Sequence, residues 1–293
     1  MPQLGLAAIT DEFSPDLDTA LRAMAAVGMR GAELRVIGGK NIIDLGDEDI
    51  DRARARVERA GLQVIGIASP VLKCVLPDAP PVDTSFQQDM FGVDRPFGDQ
   101  PKLARRAFEI AERTGARIIR VFSYWRTVDP AACQDRIVAA LGALADEAGR
   151  RGLVIALENE HACNIGTGAE AAALMARINH PALKLLWDPA NALVAGETPY
   201  PTGYRALPAD RIVHVHAKDC VVHNHRPTWG PVGERDVDWR GQLDALLHDG
   251  YAGWVSLETH WTGPHGDKLE ASTICGRNLR GLVEAAEARA ASR

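Results

Sequence analysis

The chain has 293 residues, 46% of them hydrophobic and 25% charged, with a formal net charge of −6. These are globular proportions, unlike those of a disordered chain, and the acidic balance speaks against a nucleic-acid binder driven by overall charge. No run of about 20 apolar residues is present to cross a membrane as a helix, and Met1-Pro2-Gln3-Leu4 lacks the basic and apolar regions of a signal peptide. The five cysteines are an odd number without a C-x-x-C pair, which argues against a disulfide framework or a zinc knuckle. The expectation is a cytoplasmic, enzyme-sized protein.

Along the chain a single unit recurs. A helix-period segment closes at a glycine and a short apolar run follows: Leu17–Val27 before Gly28, Ile50–Ala60 before Gly61, Leu103–Arg113 before Gly115, Ile137–Arg150 before Gly152, Leu243–His248 before Gly250. Glycine suits the left-handed residue that ends a helix. Ser14-Pro15 and Asp129-Pro130 read as N-caps followed by proline, and Thr167 to Glu170 as a capping box.

The apolar runs are Leu4–Ile9, Gly31–Leu34, Val64–Ala68, Ile118–Phe122, Val154–Leu157, Leu183–Trp187, Ile212–His216 and Trp254–Leu257. Apolar strands alternating with helices predict a parallel sheet buried on both faces, and eight such units predict a (β/α)8 TIM barrel. With no linker in view, residues 1–293 are expected to form one domain. A doubly wound sheet is the alternative, weakened by the lack of G-x-G-x-x-G after the first strand. The irregular stretch from Leu76 to Gln100 has the length of a lid or of a surface insertion.

Active sites of such barrels lie at the C-terminal ends of the strands. There the fifth run ends on Glu158, the sixth on Asp188, the seventh on His216 and the eighth on Glu258. Three carboxylates beside one imidazole repel one another unless a cation joins them, so a divalent metal is the economical reading. Three oxygen donors and one nitrogen suit Mn²⁺ first, then Co²⁺ or Mg²⁺, with Zn²⁺ also admissible. His214 shares the strand face of His216 one layer deeper and reads as a hydrogen-bonded core histidine. Lys218 is placed to hold a substrate oxygen, and Asp219 to orient a loop.

Leu157-Glu158-Asn159, Trp187-Asp188-Pro189-Ala190-Asn191, His214-Val215-His216-Ala217-Lys218-Asp219, Gly233-Glu234 to Asp238-Trp239, and Gly250 to Glu258 appear in this order. In these motifs the chain resembles the xylose-isomerase-like TIM barrels, whose members include sugar isomerases, ketose 3-epimerases, inosose dehydratases and endonuclease IV. The resemblance implies that Glu158, Asp188, His216 and Glu258 hold one divalent metal. It also implies that Glu158 and Glu258 move a proton on opposite faces of a substrate through a cis-enediolate. Asn191, Lys218, Trp125, Arg120 and Lys40 are the expected substrate contacts, with Trp229 and Trp261 as further mouth residues. Glu33 and Arg35 are expected to pair with each other.

Two positions depart from the ketose 3-epimerases. Their arginine six residues past the metal histidine is Val222 here, and their glutamate six past the first metal glutamate is Asn164, so the substrate shell differs. The expected activity is isomerisation or epimerisation of a carbohydrate or keto-sugar. A lyase or dehydratase using the same enediolate is the alternative. An endonuclease-IV-like phosphodiesterase, which needs more histidines than the nine present and a basic face, and a non-catalytic binding barrel rank below these. Partners are expected to be a small-molecule carbohydrate, with neither nucleic acid nor membrane; a homo-oligomer is compatible with the sequence.

Overall fold

The computed structural model describes residues 3–86 and 95–292. Eight parallel strands form a closed barrel: β1 Gly5–Ile9, β2 Gly31–Leu34, β3 Gln63–Ile67, β4 Ile118–Val121, β5 Val154–Glu158, β6 Leu183–Trp187, β7 Ile212–Ala217 and β8 Trp254–Leu257. Neighbours around the ring run β1, β8, β7, β6, β5, β4, β3, β2, and β1 pairs with β2 to close it. The fold is therefore a (β/α)8 TIM barrel, and each apolar run of the sequence became one strand. These residues are buried because one strand face fills the barrel and the other meets the helices.

The helices around it include Leu17–Ala26, Asp47–Arg59, Gln100–Thr114, Gln134–Arg150, Gly168–Arg177, Trp239–His248 and Lys268–Ala291. Gly28, Gly61, Gly115, Gly152 and Gly250 all have positive φ just past helix ends. The capping box at Thr167 and Glu170 forms, and Asp129 accepts from Ala132 N with Pro130 following. The first helix is capped differently from expectation. Asp16 accepts from Thr19 N, while Ser14 Oγ accepts from Asp16 N, so the cap sits two residues later than Ser14-Pro15 suggested.

Inside the barrel the bottom layer is tight. A Cβ on Gly31 would lie 2.8 Å from Ala7 Cβ and 2.9 Å from the Trp254 ring, so only glycine lets that ring fill the space. Above it the interior turns polar, as the next section describes. Two short hairpins stand outside the ring, Val36–Ile37 with Lys40–Asn41, and Asp219–His223 with Arg226–Gly230. Residues 87–94 of the expected lid lie outside the described residues. The part before them is anchored: Asp83 N donates to Arg126 O at 2.8 Å, and Phe86 packs with Phe122, Trp125, Ala162 and Cys163.

Candidate metal centre

Strands β5 to β8 each deliver one group to the same end of the barrel. Glu158 is the last residue of β5, Asp188 follows β6, His216 is the penultimate residue of β7, and Glu258 follows β8. Backbone contacts fix the turn at Asp188. Its Oδ1 accepts from Asn191 N at 2.9 Å, and Asn159 clasps the Asp188 peptide from both sides, accepting from N and donating to O at 2.8 Å each.

One donor atom from each of Glu158, Asp188, His216 and Glu258 lies within 4.8 Å of the others, and all four residues are buried. His216 Nδ1 is 3.4 Å from Glu158 Oε1 and 3.2 Å from Glu258 Oε2. Lys218, only 1% exposed, places Nζ 2.7 Å from Asp188 Oδ2 and 2.8 Å from Glu258 Oε2. Arg120 Nη1 lies 3.3 Å from Glu158 Oε2 and 3.4 Å from Glu258 Oε1, while its other nitrogens reach the carbonyls of Ala68 and Ser69. Asn191 Nδ2 donates to Glu158 Oε1 at 3.2 Å, and its Oδ1 lies 2.9 Å from His161 Nδ1.

Charge within this closed space shifts its members. Burial raises Glu258, but Lys218 and His216 outweigh it and hold the carboxyl well below the usual range. Burial pushes Asp188 up to about 6, with Lys218 opposing and Glu158 and Glu258 adding to the rise. Burial depresses His216, yet Glu33, Glu258 and Glu158 lift it well above an ordinary histidine.

The four residues fit a divalent cation. Glu158 Oε2, Asp188 Oδ2 and His216 Nδ1 are buried without an aligned hydrogen bond, although Arg120 and Lys218 stand within ion-pair range of the two oxygens. Buried polar atoms of this kind are costly unless something engages them, and three oxygens with one nitrogen form an ordinary donor set for such an ion. A second group, Glu33, His214 and His216, likewise brings one donor atom from each residue within 4.8 Å of the others. Its atoms are already engaged. Glu33 Oε2 lies 3.0 Å from both His214 Nε2 and His216 Nε2 and accepts from Ser256 Oγ at 2.9 Å.

This geometry corrects one expectation. Glu33 and Arg35 do not form the anticipated pair: Glu33 turns into the barrel toward the two histidines, and Arg35 runs to Asp11, Glu12 and Glu258. His214 is the hydrogen-bonded core histidine expected. Asp219 orients a loop, accepting from the backbone N–H groups of Cys220, Gly233, Arg235 and Val237. Trp125 is buried beside Lys73, whose Nζ is 5.5 Å from its ring. Trp229 covers His260 at 4.7 Å and lies 5.9 Å from Lys218 Nζ. Lys40 is exposed on its hairpin and is not brought into the cluster. Sequence reasoning gave Arg35 the wrong partner, and it missed Lys73, Glu160 and His161 at the mouth. His161 Nδ1 is 3.0 Å from Glu160 Oε1, and Lys73 Nζ is 3.5 Å from Glu160 Oε2. Their signal was position alone, in the loops that follow β3 and β5.

Residues 21–279 match the family described as the xylose isomerase-like TIM barrel. The chain belongs to that family. A curated relative, the inosose dehydratase of Lactiplantibacillus plantarum, is 24% identical over 164 residues, half of this chain. The match spans only about half, 53%, of that relative's length. Among solved structures of the family's fold, an IOLI protein with a bound zinc atom superposes with a TM-score of 0.73 at 17% identity, covering 97% of this chain and 99% of that one. D-allulose 3-epimerase from Methylomonas sp. does so with a TM-score of 0.69 at 18% identity, covering 97% and 98%. At these identities the likeness shows the shared fold. Among the described residues no helix is long and apolar enough to cross a membrane.

Proposed function

We propose that this protein is a divalent-metal-dependent isomerase or epimerase acting on a sugar or keto-sugar derivative by proton transfer next to a carbonyl. The observation that carries the reading is the convergence of Glu158, Asp188, His216 and Glu258 from four consecutive strands into one buried cluster. All four residues hold the ion, Mn²⁺ by preference. When bound, the ion supplies Lewis acidity beside the substrate carbonyl, where negative charge develops in the transition state.

The chain's own groups supply the rest. Glu158 and Glu258 are the two carboxylates that take and return the proton at the carbon beside the carbonyl. Lys218 and Arg120 donate toward developing oxyanion charge from fixed positions, the arginine braced by Ala68 O and Ser69 O. Asn191 orients Glu158. Trp125, with Phe86 and Phe122 around it, forms an apolar wall for the face of a carbohydrate. Burial of the cluster excludes water and strengthens each of these interactions.

The second reading is a lyase or dehydratase that forms the same enediolate and then expels a β-substituent; the dehydratase relative supports it. Turnover in deuterated water tests the first reading. Deuterium at the carbon beside the carbonyl, with no change in mass beyond that exchange, is the expected result. Turnover without solvent deuterium contradicts proton exchange with these carboxylates, and a product lighter by water or another leaving group moves the assignment to the lyase.

A further inference from the structure

The polar layer beneath the cluster carries a role of its own. Glu33 stands on β2, whereas its hydrogen-bond partners stand on β7 and β8, so its carboxylate crosses the interior past β1. Small inward residues leave room for it. Ala7 of β1 is in register with Ser256 on one side and with Gly31 on the other. One carboxylate oxygen, Glu33 Oε2, meets three groups: His214 Nε2 at 3.0 Å, His216 Nε2 at 3.0 Å and Ser256 Oγ at 2.9 Å. Glu33 is only 2% exposed.

An ionised carboxylate only accepts hydrogen bonds, so both histidines must present Nε2–H to it. A neutral imidazole with its proton on Nε2 has its lone pair on Nδ1. In His216, Nδ1 is the atom that faces Glu158 and Glu258, and it has no aligned hydrogen-bond partner. We infer that Glu33 is a positioning residue that fixes the His216 tautomer and ring orientation, directing the Nδ1 lone pair at the ion. His214 completes the device by sharing the same oxygen, its ring set edge-on to that of His216 with centroids 5.3 Å apart. A ligand histidine whose other nitrogen donates to a carboxylate is a more basic and better-oriented ligand. The inference rests on the metal reading above, and the experiment separates the two.

The experiment uses the full chain labelled with ¹⁵N-histidine and loaded with Zn²⁺, which is diamagnetic. Long-range ¹H–¹⁵N correlation reads which ring nitrogen carries the proton, and calorimetry reads Zn²⁺ affinity. Expected are a protonated Nε2 and a metal-shifted Nδ1 for His216, with Zn²⁺ affinity reduced about 10- to 100-fold in Glu33→Gln. Ser256→Ala removes a different donor to the same oxygen and is expected to change affinity less than Glu33→Gln does. The wild-type spectrum decides the matter even where Glu33→Gln fails to fold. Normal Zn²⁺ binding with the His216 proton on Nδ1, or unchanged affinity in a folded Glu33→Gln, overturns the inference alone. A wild-type chain that binds no Zn²⁺ overturns the metal reading and the inference together.

Discussion

Arg35 Nη1 lies 3.1 Å from Glu258 Oε1, which joins the end of β2 to the carboxylate after β8. The same guanidinium holds Asp11 through two nitrogens, at 3.0 and 2.7 Å, and Glu12 at 2.6 Å. Among the described residues, this one buried cation thus serves three carboxylates. Removing it leaves them short of compensation, so Arg35→Met is expected to lower stability by about 3–5 kcal/mol. Arg35→Lys, a point charge without the planar fork, is expected to recover only part of that loss. Chemical denaturation of the metal-free variants checks both.

Asn164, where the sequence departs from the ketose 3-epimerase pattern, sits in a site that uses both ends of an amide. Its Nδ2 donates to Ser123 O and Trp125 O at 3.0 and 3.1 Å, and its Oδ1 accepts from Thr127 N and Thr127 Oγ1 at 3.0 and 3.2 Å. The residue staples the loop that carries Trp125. Asn164→Ala is expected to cost on the order of 1–3 kcal/mol for each buried backbone group left unpaired. Asn164→Glu is expected to be worse, because a carboxylate cannot donate to the two carbonyls. Thermal melts of the two variants give the order.

Metal uptake is expected to depend on pH with a defined sign. Burial holds the Asp188 carboxyl up at about 6, and His216 is lifted well above the ordinary imidazole range by Glu33, Glu258 and Glu158 against the effect of burial. Both must lose a proton to become ligands. Ion binding at neutral pH therefore releases protons, and apparent affinity falls as pH drops through about 6. Calorimetry in buffers of different ionisation enthalpy measures the protons released; none released at pH 7 contradicts this.

Glu158→Gln and Glu258→Gln preserve side-chain shape while removing a base. Each is expected to reduce kcat by at least about 100-fold, the scale of one general acid–base contribution. Unaltered circular dichroism confirms that the fold is intact, and a variant retaining full kcat contradicts the assigned role.

Much of the barrel was legible in the sequence because its strands are buried on both faces and appear as short apolar runs between helices. The cluster was legible for a related reason: an acid or histidine at the end of an apolar strand is conspicuous, and four in succession are more so. Glu33 was visible but misassigned. It sits two residues from Arg35, and local spacing suggested a pair where the closed ring instead carried it across to His214, His216 and Ser256. Barrel closure places β2 near β7 and β8, and no window of sequence contains that proximity. Lys73, Glu160 and His161 escaped notice because they follow strand ends in irregular loops, where neither periodicity nor burial pattern applies.

The claim on which the rest depends is that Glu158, Asp188, His216 and Glu258 together hold one divalent ion. Anomalous diffraction from crystals grown with Mn²⁺ tests it most directly. The account predicts one anomalous peak among these four side chains, with His216 Nδ1 and a carboxylate oxygen from each acid at roughly 2.0–2.4 Å from it. A well-ordered structure from such crystals with no peak there, or with Mn²⁺ bound only elsewhere, would contradict it.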